Sequence, residues 1–165
     1  MEDLPLQHCF PPVVRADTRL LILGSLPGAM SLAAQRYYAN PRNQFWRLVG
    51  AVIDRPLEPL AYEHRLEVLL ESRIGLWDTV AAARRPGSLD ADIRLHAASD
   101  LAALTANLPD LRAIAFNGGT SARIGRRQLG PSAPAALVDL PSSSPAFTLA
   151  FADKLRAWSA LRRYL

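Results

Sequence analysis

Four clusters in this 165-residue chain have residue types and spacings that suit chemistry. The first is Gly24-Ser25-Leu26-Pro27-Gly28, then Ser31, then Tyr37-Tyr38-Ala39-Asn40-Pro41-Arg42-Asn43. Glycines on either side of a proline let backbone N–H groups approach a ligand closely, though the same string also makes a plain tight turn. The tyrosine pair suits either base stacking or core packing. Asn43 lies just before an apolar-periodic run, where a carboxamide serves as a helix cap or faces a ligand. The second cluster is Trp77-Asp78, running on to Arg84-Arg85-Pro86-Gly87-Ser88-Leu89-Asp90. An aspartate at a strand end can accept an N–H from a heterocycle or cap a turn. In the third, Phe116-Asn117-Gly118-Gly119-Thr120, open N–H groups at a helix start with Arg123, Arg126 and Arg127 nearby favour phosphate. The fourth, Pro141-Ser142-Ser143-Ser144-Pro145-Ala146-Phe147, is a stiff polar loop with an apolar tip. Such a loop can grip a phosphate backbone and push that tip between base pairs.

These clusters need elements to position them. Apolar runs at residues 19–25, 74–80, 113–117 and 136–140 read as strands, and their near-continuous apolar character fits a parallel sheet covered on both faces. Phe45, Trp46, Leu48, Val49, Val52 and Ile53 stripe a helix starting near Asn43. Tyr62, Leu66, Leu69 and Leu70 stripe another, with Glu63, Glu67 and Glu71 on its wet side. Ser99 is expected to cap a short helix ending at Leu108. Phe151, Leu155, Trp158 and Leu161 stripe the last helix, for which Ser144 and Pro145 are the expected cap and first residue. Residues 1–17 read as a loose lead-in. The alternation predicts a three-layer α/β/α sandwich around a short parallel sheet of about four strands, one domain over 1–165. In such folds ligands bind outside the carboxyl ends of the strands, which is where all four clusters fall.

Composition narrows the classes. Cys9 is the only cysteine, which excludes an internal disulfide and a four-cysteine metal site. No apolar run reaches the roughly 20 residues of a membrane helix, and residues 1–10 lack the pattern of a signal peptide. A cytoplasmic protein is therefore expected. Net charge is +4, and residues 112–165 hold eight basic but only two acidic side chains. That skew suits a polyanionic partner. Eighteen of the nineteen basic residues are arginine, which matches phosphate geometry but is also what a GC-rich genome produces.

Taken together, residues 24–46 (GSLPGAMSLAAQRYYANPRNQFW), 75–78 (GLWD), 84–90 (RRPGSLD), 116–118 (FNG) and 140–146 (LPSSSPA) resemble the uracil-DNA glycosylase superfamily. They are most similar to its hypoxanthine (deoxyinosine) DNA glycosylase branch, in the same order along nearly the whole chain. The resemblance implies an enzyme that flips a deaminated base out of DNA and hydrolyses its N-glycosidic bond, starting base excision repair. It implies that Ser25, Leu26, Pro27 and Gly28 form the water-activating loop against the base, although Leu26 stands where related branches often carry Asp or Asn. Asn43, in the segment Asn40-Pro41-Arg42-Asn43, is implied as the catalytic asparagine that orients water, with Asn40 in place of the more usual His. Asn117 is implied as the second catalytic asparagine. Tyr38 is expected to stack on the flipped base. Asp78 falls where relatives carry a base-reading Asn, and a carboxylate there can accept the N1–H that hypoxanthine has and adenine lacks. Ser31, Arg42, Gly118, Ser142, Ser143, Ser144 and Pro145 are expected to touch DNA, with Phe147 as the wedge. Ser142 or Ser143 replaces a histidine that some relatives use to steady the departing base.

No metal or cofactor is expected, because the bond breaks through an oxocarbenium-like sugar and needs no strong nucleophile. The expected partner is DNA carrying a deaminated base, met in the nucleoid by a monomer. Uracil or a mismatched thymine is the alternative base. A non-catalytic nucleic-acid binder is the alternative class. A small-molecule hydrolase fits less well, since the first turn is not a Gly-x-Ser-x-Gly elbow and His8, His64 and His96 lie outside every motif.

Overall fold

A computed structural model describes residues 3–165. Its centre is a parallel sheet of four strands, β2 (Leu20–Gly24), β3 (Ile74–Asp78), β6 (Ala113–Asn117) and β7 (Ala136–Leu140), in the order β3-β2-β6-β7. Register is continuous, with Leu20 beside both Ile74 and Ala113, and Ala113 beside Ala136. The expected four strands are thus present, because runs of Leu and Ile buried on both faces need cover on both.

Alternate strand residues face opposite layers. On one side Leu20, Ile22, Ile74, Leu76, Ala113 and Ala115 meet α2 (Phe45–Ile53), α3 (Tyr62–Glu71) and α6 (Phe151–Trp158) through Phe45, Leu48, Val49, Val68, Leu69 and Trp158. On the other, Leu21, Leu23, Ile114 and Phe116 meet α4 (Leu101–Ala106) and α5 (Gly119–Leu129). This is the three-layer sandwich. A short helix, α1 (Ala29–Ala34), follows the first turn.

A second sheet was not expected. β1 (Leu6–His8), β4 (Val80–Arg84) and β5 (Arg94–Ala98) form an antiparallel sheet in the order β1-β4-β5. Only Thr79 separates β3 from β4, so the chain passes directly from one sheet into the other. The lead-in is accordingly tied down rather than loose: Leu6, Gln7 and His8 pair with Arg84, Ala83 and Ala82, and Val13 bridges Leu76.

Three helix starts differ from expectation. α6 begins at Phe151 behind Ala150, not at Ser144-Pro145. The hydroxyls there are used locally instead, Ser142 Oγ accepting from Ser144 N and Ser144 Oγ from Ala146 N. α4 is capped by Asp100, whose Oδ1 accepts from Ala103 N at 3.0 Å, while Ser99 is buried. α2 begins at Phe45 with Gln44 in the cap position, yet Asn43 Oδ1 still accepts from Phe45 N at 3.0 Å. Asn43 does the work of a cap from one position further out.

Candidate active site

β2 connects to β3 on one side of the sheet, whereas β6, its other neighbour, connects onward to β7. The crevice between β2 and β6 is therefore the topological switch point, where open α/β sheets bind ligands. Gly24 and Asn117 end these two strands, and beyond them lies a cavity of about 260 Å³. Its walls include residues 24–31, Tyr37, Tyr38, Asn40, Asn43, Asp78, Ser88 to Asp90, Asn117 and Ser142 to Ala146. Contributions from all four sequence clusters meet there.

The centre is a continuous hydrogen-bond chain. Asn117 Nδ2 donates to Ser143 Oγ at 2.9 Å and to Tyr38 Oη at 3.2 Å. Ser143 N donates to Asn117 Oδ1 at 2.9 Å, and Ser143 Oγ donates to Asn43 Oδ1 at 2.8 Å. Because the Phe45 amide also points at Asn43 Oδ1, the side chain has one stable orientation, with both acceptor sites of the oxygen engaged. Its Nδ2 is the group left for a ligand. Ser143 has 0% exposure and joins three segments far apart in sequence.

Tyr37 and Tyr38 divide their roles. Tyr37 is core, its Oη donating to Pro11 O, whereas Tyr38 is half-buried at the cavity with its ring stacked on Phe45 at 3.9 Å. Tyr38 has φ +52°, which costs a non-glycine residue energy and marks a position held by its surroundings. Burial pushes its phenol well above the ordinary range, so it stays protonated. Gly24 is required directly beneath: a Cβ there would sit 2.6 Å from Asp78 Oδ1 and 2.9 Å from Tyr38 Oη.

Asp78 is 3% exposed and its Oδ2 is buried with no hydrogen-bond partner. Burial, then the nearby charge of Asp90, push its carboxyl up to about 7, against a smaller opposing pull from Arg85. Asp90 is also raised by burial, but a hydrogen bond from Ser25 Oγ at 2.6 Å and the charge of Arg85 resist that. Asp90 thus has a hydrogen-bond donor on its carboxyl, whereas Asp78 Oδ2 has none.

The first loop is anchored from the β4–β5 turn. Arg85, almost fully buried, donates to Pro27 O and to Gln7 Oε1, Ser88 Oγ accepts from Ala29 N at 3.0 Å, and Asp90 holds Ser25. Leu26 packs into a small core with Val80, Ala83 and Ile124. None of Arg85, Ser88 and Asp90 was expected to act, although the string containing them stands out in the sequence. Its proline, glycine and paired charges are visible, but their target across the second sheet is not.

The remaining expected residues separate into wall and rim. Ser31 lines the cavity with its Oγ accepting from Ala39 N, and Ser142, Ser144 and Pro145 line it from the opposite loop. Arg42 is exposed outside it. Gly118 also lies outside the wall, with φ +97° and its N donating to Leu140 O, which ties the third and fourth clusters together. Phe147 projects at the loop tip, 46% exposed. Behind that loop Lys154, also not anticipated, is buried with Nζ donating to Ser144 O at 3.2 Å. Among the described residues no cluster of three potential metal ligands occurs, and no helix is long and apolar enough to cross a membrane.

Comparison with known proteins gives the chain's relatives. The chain is 40% identical over 159 residues to the hypoxanthine DNA glycosylase of Methanosarcina acetivorans, covering 96% of this chain and 99% of that one. It is 42% identical over 112 residues to the hypoxanthine DNA glycosylase of Methanosarcina barkeri, 68% of this chain and 71% of that one. Its fold matches the solution NMR structure of a Methanosarcina acetivorans protein described as a uracil DNA glycosylase, with a TM-score of 0.84 at 39% identity over 96% of this chain and 98% of that one. The uracil DNA glycosylase superfamily model matches residues 11–163, which take in the sheet, both helical layers and every wall of the cavity, and the chain belongs to that superfamily.

Proposed function

We propose that this protein is a DNA glycosylase that flips hypoxanthine, formed by deamination of adenine, out of DNA and hydrolyses its N-glycosidic bond. The observation carrying this reading is the Asn43–Ser143–Asn117 chain beside a small cavity at the switch point. The cavity is at the small end for ligand sites, in proportion to one extruded base rather than a dinucleotide. The curated relatives of similar length bear the hypoxanthine name.

In this scheme the base stacks on Tyr38 and its N1–H donates to Asp78. The backbone of Ser25, Leu26, Pro27 and Gly28 lies along it. Asn43 directs a water at the anomeric carbon as the bond to the base lengthens and the sugar becomes oxocarbenium-like. Asn117 fixes Tyr38 and Ser143, and through Ser143 it fixes Asn43. One preorganised donor contributes about 2.7–4 kcal/mol to transition-state stabilisation in other enzymes. Ser31, Arg42, Gly118 and Ser142 to Pro145 grip the strand, and Phe147 fills the gap left by the base. One chain supplies every part, so a monomer suffices.

The test is excision from duplexes containing inosine, uracil, xanthine or a mismatched thymine, with abasic sites revealed by alkali. Uracil is included because its N3–H beside a carbonyl resembles the hypoxanthine edge. Inosine is expected to be cleaved fastest, and Asn43→Ala to abolish cleavage while DNA binding stays within a few fold. Equal cleavage by that variant would reduce Asn43 to a helix cap, and binding without cleavage by the unaltered protein would leave a non-catalytic nucleic-acid binder.

A further inference from the structure

Resting on the glycosylase reading, we propose that Asp90 is a catalytic residue: its carboxylate accepts the proton of the water that Asn43 holds. Asn43 has no free acceptor. Its Oδ1 is engaged by Ser143 Oγ and Phe45 N, so the side chain meets a water through Nδ2, as a donor. A water held only by a donor has nowhere to send its proton. The cavity offers two carboxyls, Asp78 and Asp90. Asp90 is the one whose charged form is supported: burial pushes its carboxyl up, but Ser25 Oγ donates to Oδ1 at 2.6 Å and the buried Arg85 guanidinium adds positive charge, and both oppose that push. Asp78 has no such donor and faces the Asp90 charge. Two carboxyls whose surroundings separate them in this way are suited to different roles.

The C1′–N bond breaks and its electron pair leaves with the base. A lone pair of the water forms the new C1′–O bond, one water hydrogen passes to Asp90, and the other remains on the C1′ hydroxyl. The proton on Asp90 then passes to the departed base, which restores the carboxylate. Ser25, Arg85 and Asp90 act as one unit, with Ser25 and Arg85 as positioning residues.

The experiment is single-turnover excision from an inosine duplex between pH 4.5 and 9. Groups facing Asp90 are Ser25, Asp78, Arg85 and Tyr38. The unaltered protein should show a rate that falls in acid as Asp90 is protonated. Asp90→Asn should lower the rate at pH 8 by about 10²-fold or more and remove that acid limb, with affinity for an abasic-site duplex within a few fold. Asp78→Asn should keep the limb. Ser25→Ala retains the carboxylate but removes its donor, so the limb should move to higher pH, a readout that stands even if Asp90→Asn folds poorly. Asp90→Asn within about threefold of the unaltered rate, or an acid limb unmoved in both the Asp90 and Ser25 variants, overturns the proposal and leaves the glycosylase reading intact. No excision of any base by the unaltered protein overturns both.

Discussion

Replacing Ser143 by alanine isolates the contribution of one hydroxyl to both stability and chemistry. Its Oγ makes two hydrogen bonds, to Asn43 at 2.8 Å and from Asn117 at 2.9 Å, with no exposure to water. Removing a buried partner costs about 1–3 kcal/mol through the groups left behind. Here each survivor keeps one bond, Asn43 Oδ1 with Phe45 N and Asn117 Nδ2 with Tyr38 Oη, so the lower part of that range applies, about 1–2 kcal/mol. For a domain of this size that is a fall in melting temperature of roughly 2–8 °C. Activity should fall further than stability. Asn43 loses the contact that fixes its oxygen from the far side, and a displacement of about 1 Å in a reacting array costs on the order of 10²-fold. Thermal unfolding and single-turnover excision on the same preparation measure both. A variant that melts and excises like the unaltered protein would refute the claim that the asparagine–serine chain organises the site.

Gly24→Ala should fold but lose about 1–3 kcal/mol and most of its excision rate, because the new methyl displaces Asp78 and the stacked Tyr38, as chemical denaturation and excision assays would show. Asp78→Asn should stabilise the protein in a pH-dependent manner. The folded carboxyl is raised to about 7 from an ordinary 3.8, so its ionisation costs nothing below pH 4, that cost grows as pH rises through the interval, and it is constant above pH 7. Melting curves of the variant and the unaltered protein should therefore diverge between pH 4 and 7, and parallel curves would contradict this. Phe147→Ala should leave stability within about 0.5 kcal/mol, since the ring is exposed, yet slow excision more from a well-paired lesion than from a mispaired one, whose flipping cost is lower.

The two sheets show what a sequence can convey. β2, β3 and β6 are visible because both of their faces are buried, and β7, the more exposed edge strand, because it still reads ALVDL. β4 and β5, reading VAAAR and RLHAA, are hidden because alanine, which fills three of five positions in one and two of five in the other, is depleted in strands. The site was legible as a set of motifs, and Asn43, Asn117, Tyr38, Asp78 and the serine loop do converge on one cavity. Its wiring was not. Ser143 and Asn43 are 100 residues apart, and a hydroxyl followed by proline signals a helix cap as readily as a bridge between two amides. Arg85 and Asp90 were hidden for the same reason, since their partners Pro27 and Ser25 come into range only through the unanticipated sheet.

The amino-terminal segment works as a buttress. Gln7 steadies the guanidinium of Arg85, the carbonyl of Phe10 receives the indole of Trp77 at 3.0 Å, and that of Pro11 receives the phenol of Tyr37 at 3.0 Å. Each of these side chains lines the cavity, or is next to or holds a residue that does. A tether fused close to Leu6, or trimming that unpairs it from Arg84, would therefore transmit mechanically to the cavity wall, and the stretch that looks most dispensable sets how stiffly that wall is held.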